Sequence, residues 1–406
     1  MLPCLLMLAN LLIPLATGAA DRDLLGQTVA ALAAPELAGR GAGTADERRA
    51  AELIAGWFAD AHLEPALPAG GWLQAVPWGD RETLNVLAVA RGRGTLADRW
   101  VVVGAHLDHL GRVDPGAAGD PEIGGYYPGA GDNASGVAVV RWLADRLGGE
   151  ADQTGDRRSV LVCAFGGEEE GLVGSRYLVS HLPIPVETVD AMLNLDAVGR
   201  LEQGPLHVAG AGTCDQFAHL LAAAADGVPL VLHEPLLLGS DHLGFLEAGI
   251  PALFCFTSAY PEMNSPADLP SSVDLDGLAT VAGLAGDLLD GLRTSAGPFT
   301  FVAPTPVQRP EGGNRATWFG TAPDFSGATS DDGYLIGGVT PGGPAARAGL
   351  RTGDVVVTLG GGAVKDLATF TQRLRSFAPG EVVEVAALRD GRRMTFLVTL
   401  GDRSQR

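Results

Sequence analysis

Six short, predominantly apolar runs constrain this chain more than any other feature. They read LNVLAVA (84–90), WVVVGA (100–105), SVLVCAF (159–165), AMLNLD (191–196), PLHVAG (205–210) and PALFCF (251–256). A strand with one wet face alternates apolar and polar residues; a run that stays apolar predicts a strand covered on both faces. Helical spacing recurs between the runs, near 135–147, 215–225 and 274–292. It recurs earlier at Ala50, Leu53, Ile54, Trp57, Phe58 and Ala61, behind a capping box at Thr44–Glu47. Strands interleaved with helices predict an α/β fold with a mostly parallel central sheet flanked by helices.

In such sheets ligands bind beyond the carboxyl ends of the strands. Five small motifs fall there. They are GAHLDHLG with His106 and Asp108, GAGDNASG with Asp132, FGGEEEG with Glu168 and Glu169, NLDAVGR with Asp196, and GSDHLGF with His242. Two imidazoles and three carboxylates make a mixed nitrogen and oxygen donor set that suits zinc or another borderline divalent metal. One carboxylate shared between two ions would give each ion three protein ligands and an open position, which is a catalytic arrangement. Asp132, Glu168, Glu169 and Asp196 would balance two divalent cations. Without metal they would repel and raise one another's pKa. No GxSxG elbow occurs in the chain.

On these motifs, residues of about 30–292 resemble the co-catalytic zinc aminopeptidases, the aminopeptidase S and aminopeptidase Y type of peptidase family M28. The resemblance implies two zinc ions bridged by Asp132, with the peptide bond after it often cis. It implies His106 and Asp196 on one zinc, and Glu169 and His242 on the other. Glu168 would be the general base and Asp108 would orient His106. His109 is read as structural or as support for a ligand, Asp241 as a possible support, and Glu170 as solvated. Two departures stand out: the family often has Asp or Asn where this chain has Gly131, and a His where it has Asn264 in YPEMNSPADLP. The expected activity is aminopeptidase hydrolysis of peptide or protein substrates. A carboxypeptidase or amidohydrolase of the same fold, a single-zinc glutaminyl cyclase and an inactive peptide-binding relative are the alternatives.

Charge divides the chain. Residues 1–315 hold 18 basic and 39 acidic groups, net −21, and residues 316–406 hold 10 and 9, net +1, within a total of −20. The acid excess argues against binding nucleic acid through phosphates. Lys365 is the one lysine, which excludes most lysine-based catalysis. Residues 1–20 are apolar and end in Gly18-Ala19-Ala20, the pattern of a secretory signal cleaved before Asp21, so export to the periplasm or the extracellular space is expected. No later stretch is apolar enough to span a membrane. Cys163, Cys214 and Cys255 are expected to be buried free thiols. The sequon Asn133-Ala-Ser135 lies in the metal loop, which disfavours glycosylation, and GAGDNA there mimics a dinucleotide fingerprint without a preceding strand.

The expected organisation is a zinc peptidase domain over 21–295, a Pro- and Gly-rich linker over 296–315, and a small β-rich domain over 316–403. The last resembles a bacterial-type PDZ domain in WFGTAPDF, in GYLIGGVTPGGPAARAGLRTGDVVVTLGG and in the helix DLATFTQRLRSF. The resemblance implies that amides near Phe319, Gly320 and Thr321 cradle the carboxylate of a C-terminal peptide ligand. Phe370 and Leu374 would line its groove. A PDZ fold that only packs on the peptidase domain is the alternative.

Overall fold

Every apolar run forms a strand. The first module contains, in chain order, α1 (Ala19–Leu32), α2 (Ala45–Asp60), β1 (Glu64–Pro65), β2 (Leu73–Trp78), β3 (Arg81–Ala90) and β4 (Trp100–His106). Then come α3 (Ser135–Gly148), β5 (Ser159–Phe165), α4 (Val173–Ser180), β6 (Val189–Leu195), β7 (Leu206–Ala209), α5 (Asp215–Ala224) and β8 (Leu230–His233). It closes with α6 (His242–Glu247), β9 (Ala252–Phe256) and α7 (Leu275–Thr294). The structure is a computed structural model. It describes residues 18–112, 125–149, 154–225, 227–233, 239–258, 260, 262–304, 317–324, 333–340, 342–389 and 391–402. Of the expected signal segment, residues 1–17 lie outside these.

One sheet runs β1-β3-β5-β4-β6-β9-β7-β8, with β2 also paired to β3. Its centre, β5-β4-β6-β9, is parallel. β3 runs opposite to β5, and β7 opposite to β9. Alternate residues of each central strand enter different cores. Val101, Val103 and Ala105 join a cluster with α1, α2, α3 and α7, whereas Trp100 and Val102 join one with Leu178 of α4 and Phe245 of α6. Each buried Val, Leu or Phe contributes about 1.5–3 kcal/mol, so the two cores set the sheet's register. The short helices α4 and α6, and the four-residue, partly exposed strand β8, carried too little periodicity to stand out in the sequence. Thr44 caps α2 by accepting from the Glu47 amide at 3.2 Å, but the Glu47 carboxylate accepts from Gly43 at 2.6 Å, not from Thr44. The expected reciprocal box is therefore half formed.

Cys163, Cys214 and Cys255 are buried and free. Part of the expected linker is packed: Phe299 is buried in the first core, and the Val302 amide donates to the Thr213 carbonyl at 2.8 Å.

The second module contains β10 (Thr317–Trp318), β11 (Thr321–Pro323), β12 (Tyr334–Val339), α8 (Pro344–Arg347), β13 (Val355–Leu359), β14 (Gly362–Ala363) and α9 (Leu367–Leu374). It ends with β15 (Val382–Arg389), β16 (Arg392–Thr399) and β17 (Gly401–Asp402). Its main sheet runs β11-β12-β13-β15-β16, so β11 is an edge strand. Its core is separate and includes Ile336, Val356, Val385 and Val398.

Candidate metal centre

The chemistry-bearing residues collect at the carboxyl end of the parallel strands. His106 is the last residue of β4, Glu168 and Glu169 follow β5, and Asp196 follows β6. Asp132 lies in the turn before α3, where its backbone leaves helical geometry (φ −116°, ψ 100°) and the Asp132–Asn133 peptide is cis. Asn133 anchors this turn: its Nδ2 donates to Leu195 O at 3.0 Å, and its Oδ1 accepts from Gly136 at 2.9 Å and Ala197 at 3.2 Å. Asn133 and Ser135 are both fully enclosed, so the sequon is not a surface acceptor.

Among the described residues, two groups of potential ligand atoms form, and they share Asp132. One is His106, Asp132 and Asp196; the other is His109, Asp132 and Glu169. His106 Nε2 lies 3.1 Å from Asp196 Oδ1 and 3.3 Å from Asp132 Oδ1. His109 Nδ1 lies 2.9 Å from Glu169 Oε1.

Two expected placements differ in the structure. His242 joins neither group. Its ring stacks on Phe254 at a centroid distance of 4.6 Å, and both ring nitrogens are buried without a hydrogen-bond partner. The imidazole beside Asp132 and Glu169 is His109, which the sequence marked only as structural or supporting. Asp108 also works differently. His106 Nδ1 donates to the Asp108 backbone carbonyl at 3.1 Å, and the Asp108 carboxylate is 3.9 Å away. That carboxylate instead accepts from the amides of Glu168 at 3.1 Å and Glu169 at 3.3 Å. It sets the turn that presents the two glutamates.

Two residues with no local signal complete the frame. Asp268 is fully buried and accepts from the Gly131 amide at 3.0 Å, the Asp132 amide at 3.1 Å and the Tyr260 hydroxyl at 3.1 Å. A Cβ on Gly131 would sit 2.0 Å from the Tyr260 hydroxyl. Tyr260 thus fills the space that a side chain at position 131 would need. Arg40, also buried, donates to the carbonyls of Leu107 (2.8 Å), Leu32 (2.6 Å), Pro128 (2.8 Å) and Gly129 (3.0 Å). It ties α1, the end of β4 and the Asp132 turn together beneath the acidic cluster.

The electrostatics ask for a cation. Burial, reinforced by Asp196, Glu169 and Asp241, holds the Glu168 carboxyl well above its usual pKa. Burial and Glu169 raise Asp132. Burial lowers His106, but Asp196 and Glu168 outweigh it and lift the imidazole well above its ordinary value. His242 is pushed down to about 3 by burial. Like charges this close in a desolvated pocket are stabilised by divalent cations, and the imidazole and carboxylate donors fit zinc.

In the second module, Phe319 and Phe370 are nearly fully buried and meet edge to face at 5.1 Å, while Tyr334 stacks on Phe370 at 4.1 Å. Phe370 is therefore mainly a core residue, with Leu374 partly buried against the same core. Gly320 has φ +84° and lies against Pro344, a turn that favours glycine.

A parallel sheet carrying histidine and carboxylate groups around a shared aspartate defines a metallohydrolase-like α/β module. The sequence profile of Peptidase family M28 matches residues 85–289, half of the chain, and the chain belongs to that family. A PDZ domain profile matches residues 324–400. A probable leucine aminopeptidase of Trichophyton verrucosum (strain HKI 0517) is 30% identical over 226 residues, covering 50% of this chain and 58% of the relative. The chain thus spans a little over half of that relative's length. The LapA aminopeptidase of Legionella pneumophila shares the fold (TM-score 0.54, 24% identity), with 68% of this chain and 73% of LapA covered. The zinc aminopeptidase BSAP of Bacillus subtilis does so too (TM-score 0.54, 18% identity, 69% and 97% covered).

Proposed function

We propose that the protein is an exported zinc metallo-exopeptidase that removes N-terminal residues from peptides, with a PDZ module that binds peptide C-termini. The observation that carries this reading is the Asp132 carboxylate shared by two histidine-containing groups. His106, Asp132 and Asp196 would hold one zinc ion. Asp132, Glu169 and His109 would hold the other, so that His109 takes the role first expected of His242. Bound zinc supplies an activated water and a polarised scissile carbonyl.

The chain's own residues do the rest. Glu168, beside both groups, accepts a proton on its carboxylate from the attacking water and passes it to the departing amine. Asp108 fixes the backbone of Glu168 and Glu169, and Asp268 fixes the amides of Gly131 and Asp132. Export rests on the apolar N-terminal segment with its small-residue end.

The test is an aminoacyl-4-nitroanilide panel with zinc counted in parallel. Free-amine substrates should be cleaved, with activity lost to chelator and restored by about two zinc ions per chain, the number a shared carboxylate implies. Cleavage of N-blocked substrates alone would refute the aminopeptidase reading.

A further inference from the structure

The β11 edge of the PDZ module has a polarity, and one end of it lies near the peptidase module. β11 is the edge strand of its sheet, so an extended peptide can add beside it. The turn expected to take a carboxylate, Phe319–Thr321, comes before β11 along the chain. A peptide held there by its C-terminus must run from Thr321 toward Pro323, with its amino end leaving past Asp324.

That exit faces the peptidase module. Asp324 acts electrostatically on His207 of β7. Gly338, which pairs with Ala322 of β11, lies against Tyr260: a Cβ there would be 3.8 Å from the Tyr260 carbonyl. Tyr260 is the residue whose hydroxyl reaches Asp268 behind the Asp132 turn. His207 also lies on the rim of the sheet where the metal-centre residues collect. β7 runs opposite to β9, so His207 pairs with Phe256, the last residue of β9, on the same rim as His106 and Asp196. His207 Nε2 lies 3.2 Å from the Ser258 hydroxyl and His207 Nδ1 lies 2.8 Å from His233 Nε2, which makes this rim polar. Only β9 separates β7 from β6, the strand that leads into Asp196.

We propose that the two modules read opposite ends of one substrate: the PDZ groove holds the free α-carboxylate and directs the free amino terminus to the metal centre. The inference rests on the aminopeptidase reading above and names its substrate class. Two strand spacings, ~10 Å, separate β7 from β6, and an extended chain covers that in about three residues. With about four residues in the groove, peptides of roughly seven or more with a free C-terminus are the preferred substrates.

The experiment uses the full, zinc-loaded chain and leucyl peptides of four, seven, ten and thirteen residues, each as the free acid and as the C-terminal amide. Leucine 4-nitroanilide is the reference. From seven residues upward the free acid should show a KM about tenfold below that of the amide at unchanged kcat, the effect of a tethered second site. The tetrapeptide pair should not differ. An N-acetylated hexapeptide acid should compete with the ten-residue substrate and leave anilide hydrolysis unchanged. Equal KM for acid and amide at every length, with the anilide still cleaved, overturns the inference and leaves the aminopeptidase reading standing. A preference for the acid already at four residues also overturns it, because the carboxylate would then be read at the metal centre itself. Failure to cleave any free-amine substrate overturns both.

Discussion

Replacing His109 by alanine tests the metal centre most directly. Its imidazole is fully buried, and Nδ1 is 2.9 Å from Glu169 Oε1. The backbone is held independently, since the His109 amide donates to the Arg40 carbonyl at 3.3 Å. The H109A change should therefore remove the proposed ligand without unfolding the loop. Tightly held zinc is bound by about 10–16 kcal/mol in all, so one ligand among three or four carries ~3–4 kcal/mol, a few hundred-fold in affinity. The assay is competitive zinc titration with stoichiometry from mass spectrometry, and the absorption of the cobalt-substituted protein as a second readout. Wild type should bind two ions. H109A should keep one tight ion and bind the second a few hundred-fold more weakly. H242A, a change at a residue outside both clusters, should keep both sites. Two tight ions in H109A together with the loss of one in H242A would refute the assignment and restore His242 as the ligand.

Three further outcomes are expected. D268N keeps the shape but loses much of the acceptance of the Gly131 and Asp132 amides. At about 1.5–3 kcal/mol for each bond to a charged group it should cost ~3 kcal/mol in urea unfolding, and an unchanged midpoint would contradict the role given to Asp268. R40M strands four buried carbonyls and should destabilise by ~4 kcal/mol, with R40K recovering part of that loss in the same assay. Burial raises Glu47 from 4.5 to about 7, against opposing hydrogen bonds from Thr83 and Gly43. The folded state then binds this proton more tightly than the unfolded chain. Glu47 therefore contributes stability below about pH 4.5 that is lost as pH rises through about 7, on the order of 3 kcal/mol. E47Q should remove that part of the pH slope, and identical slopes in the two proteins would argue against it.

Much of the fold was legible in the sequence because its causes are local. Strands buried on both faces must be apolar throughout, so the runs at 84–90, 100–105, 159–165 and 251–256 marked the sheet centre, and the observed strands match them within a few residues. The motifs carrying His106, Asp132, Glu168, Glu169 and Asp196 follow strands or open a helix, so their convergence followed from the α/β topology alone. The PDZ module was legible for the same reason: a dense set of turn glycines and prolines at fixed offsets from short strands.

Other features depended on contacts between residues far apart in the chain. Asp268 meets Gly131 from 137 positions away, and Arg40 meets Gly129 from 89. Neither pairing leaves a periodic trace. The choice between His109 and His242 is of this kind as well. Both residues belong to recognisable motifs, and local pattern treats them alike. The tertiary structure folds the loop after β4 back onto 39–41, through Gly111 donating to Gly39 and His109 donating to Arg40, and so turns the His109 ring toward Glu169. It seats His242 on Phe254 instead. Sequence by itself determined which side chains reach the rim of the sheet, because strand ends are set by local apolar pattern. Only the packing of distant loops decided which of them gather around Asp132.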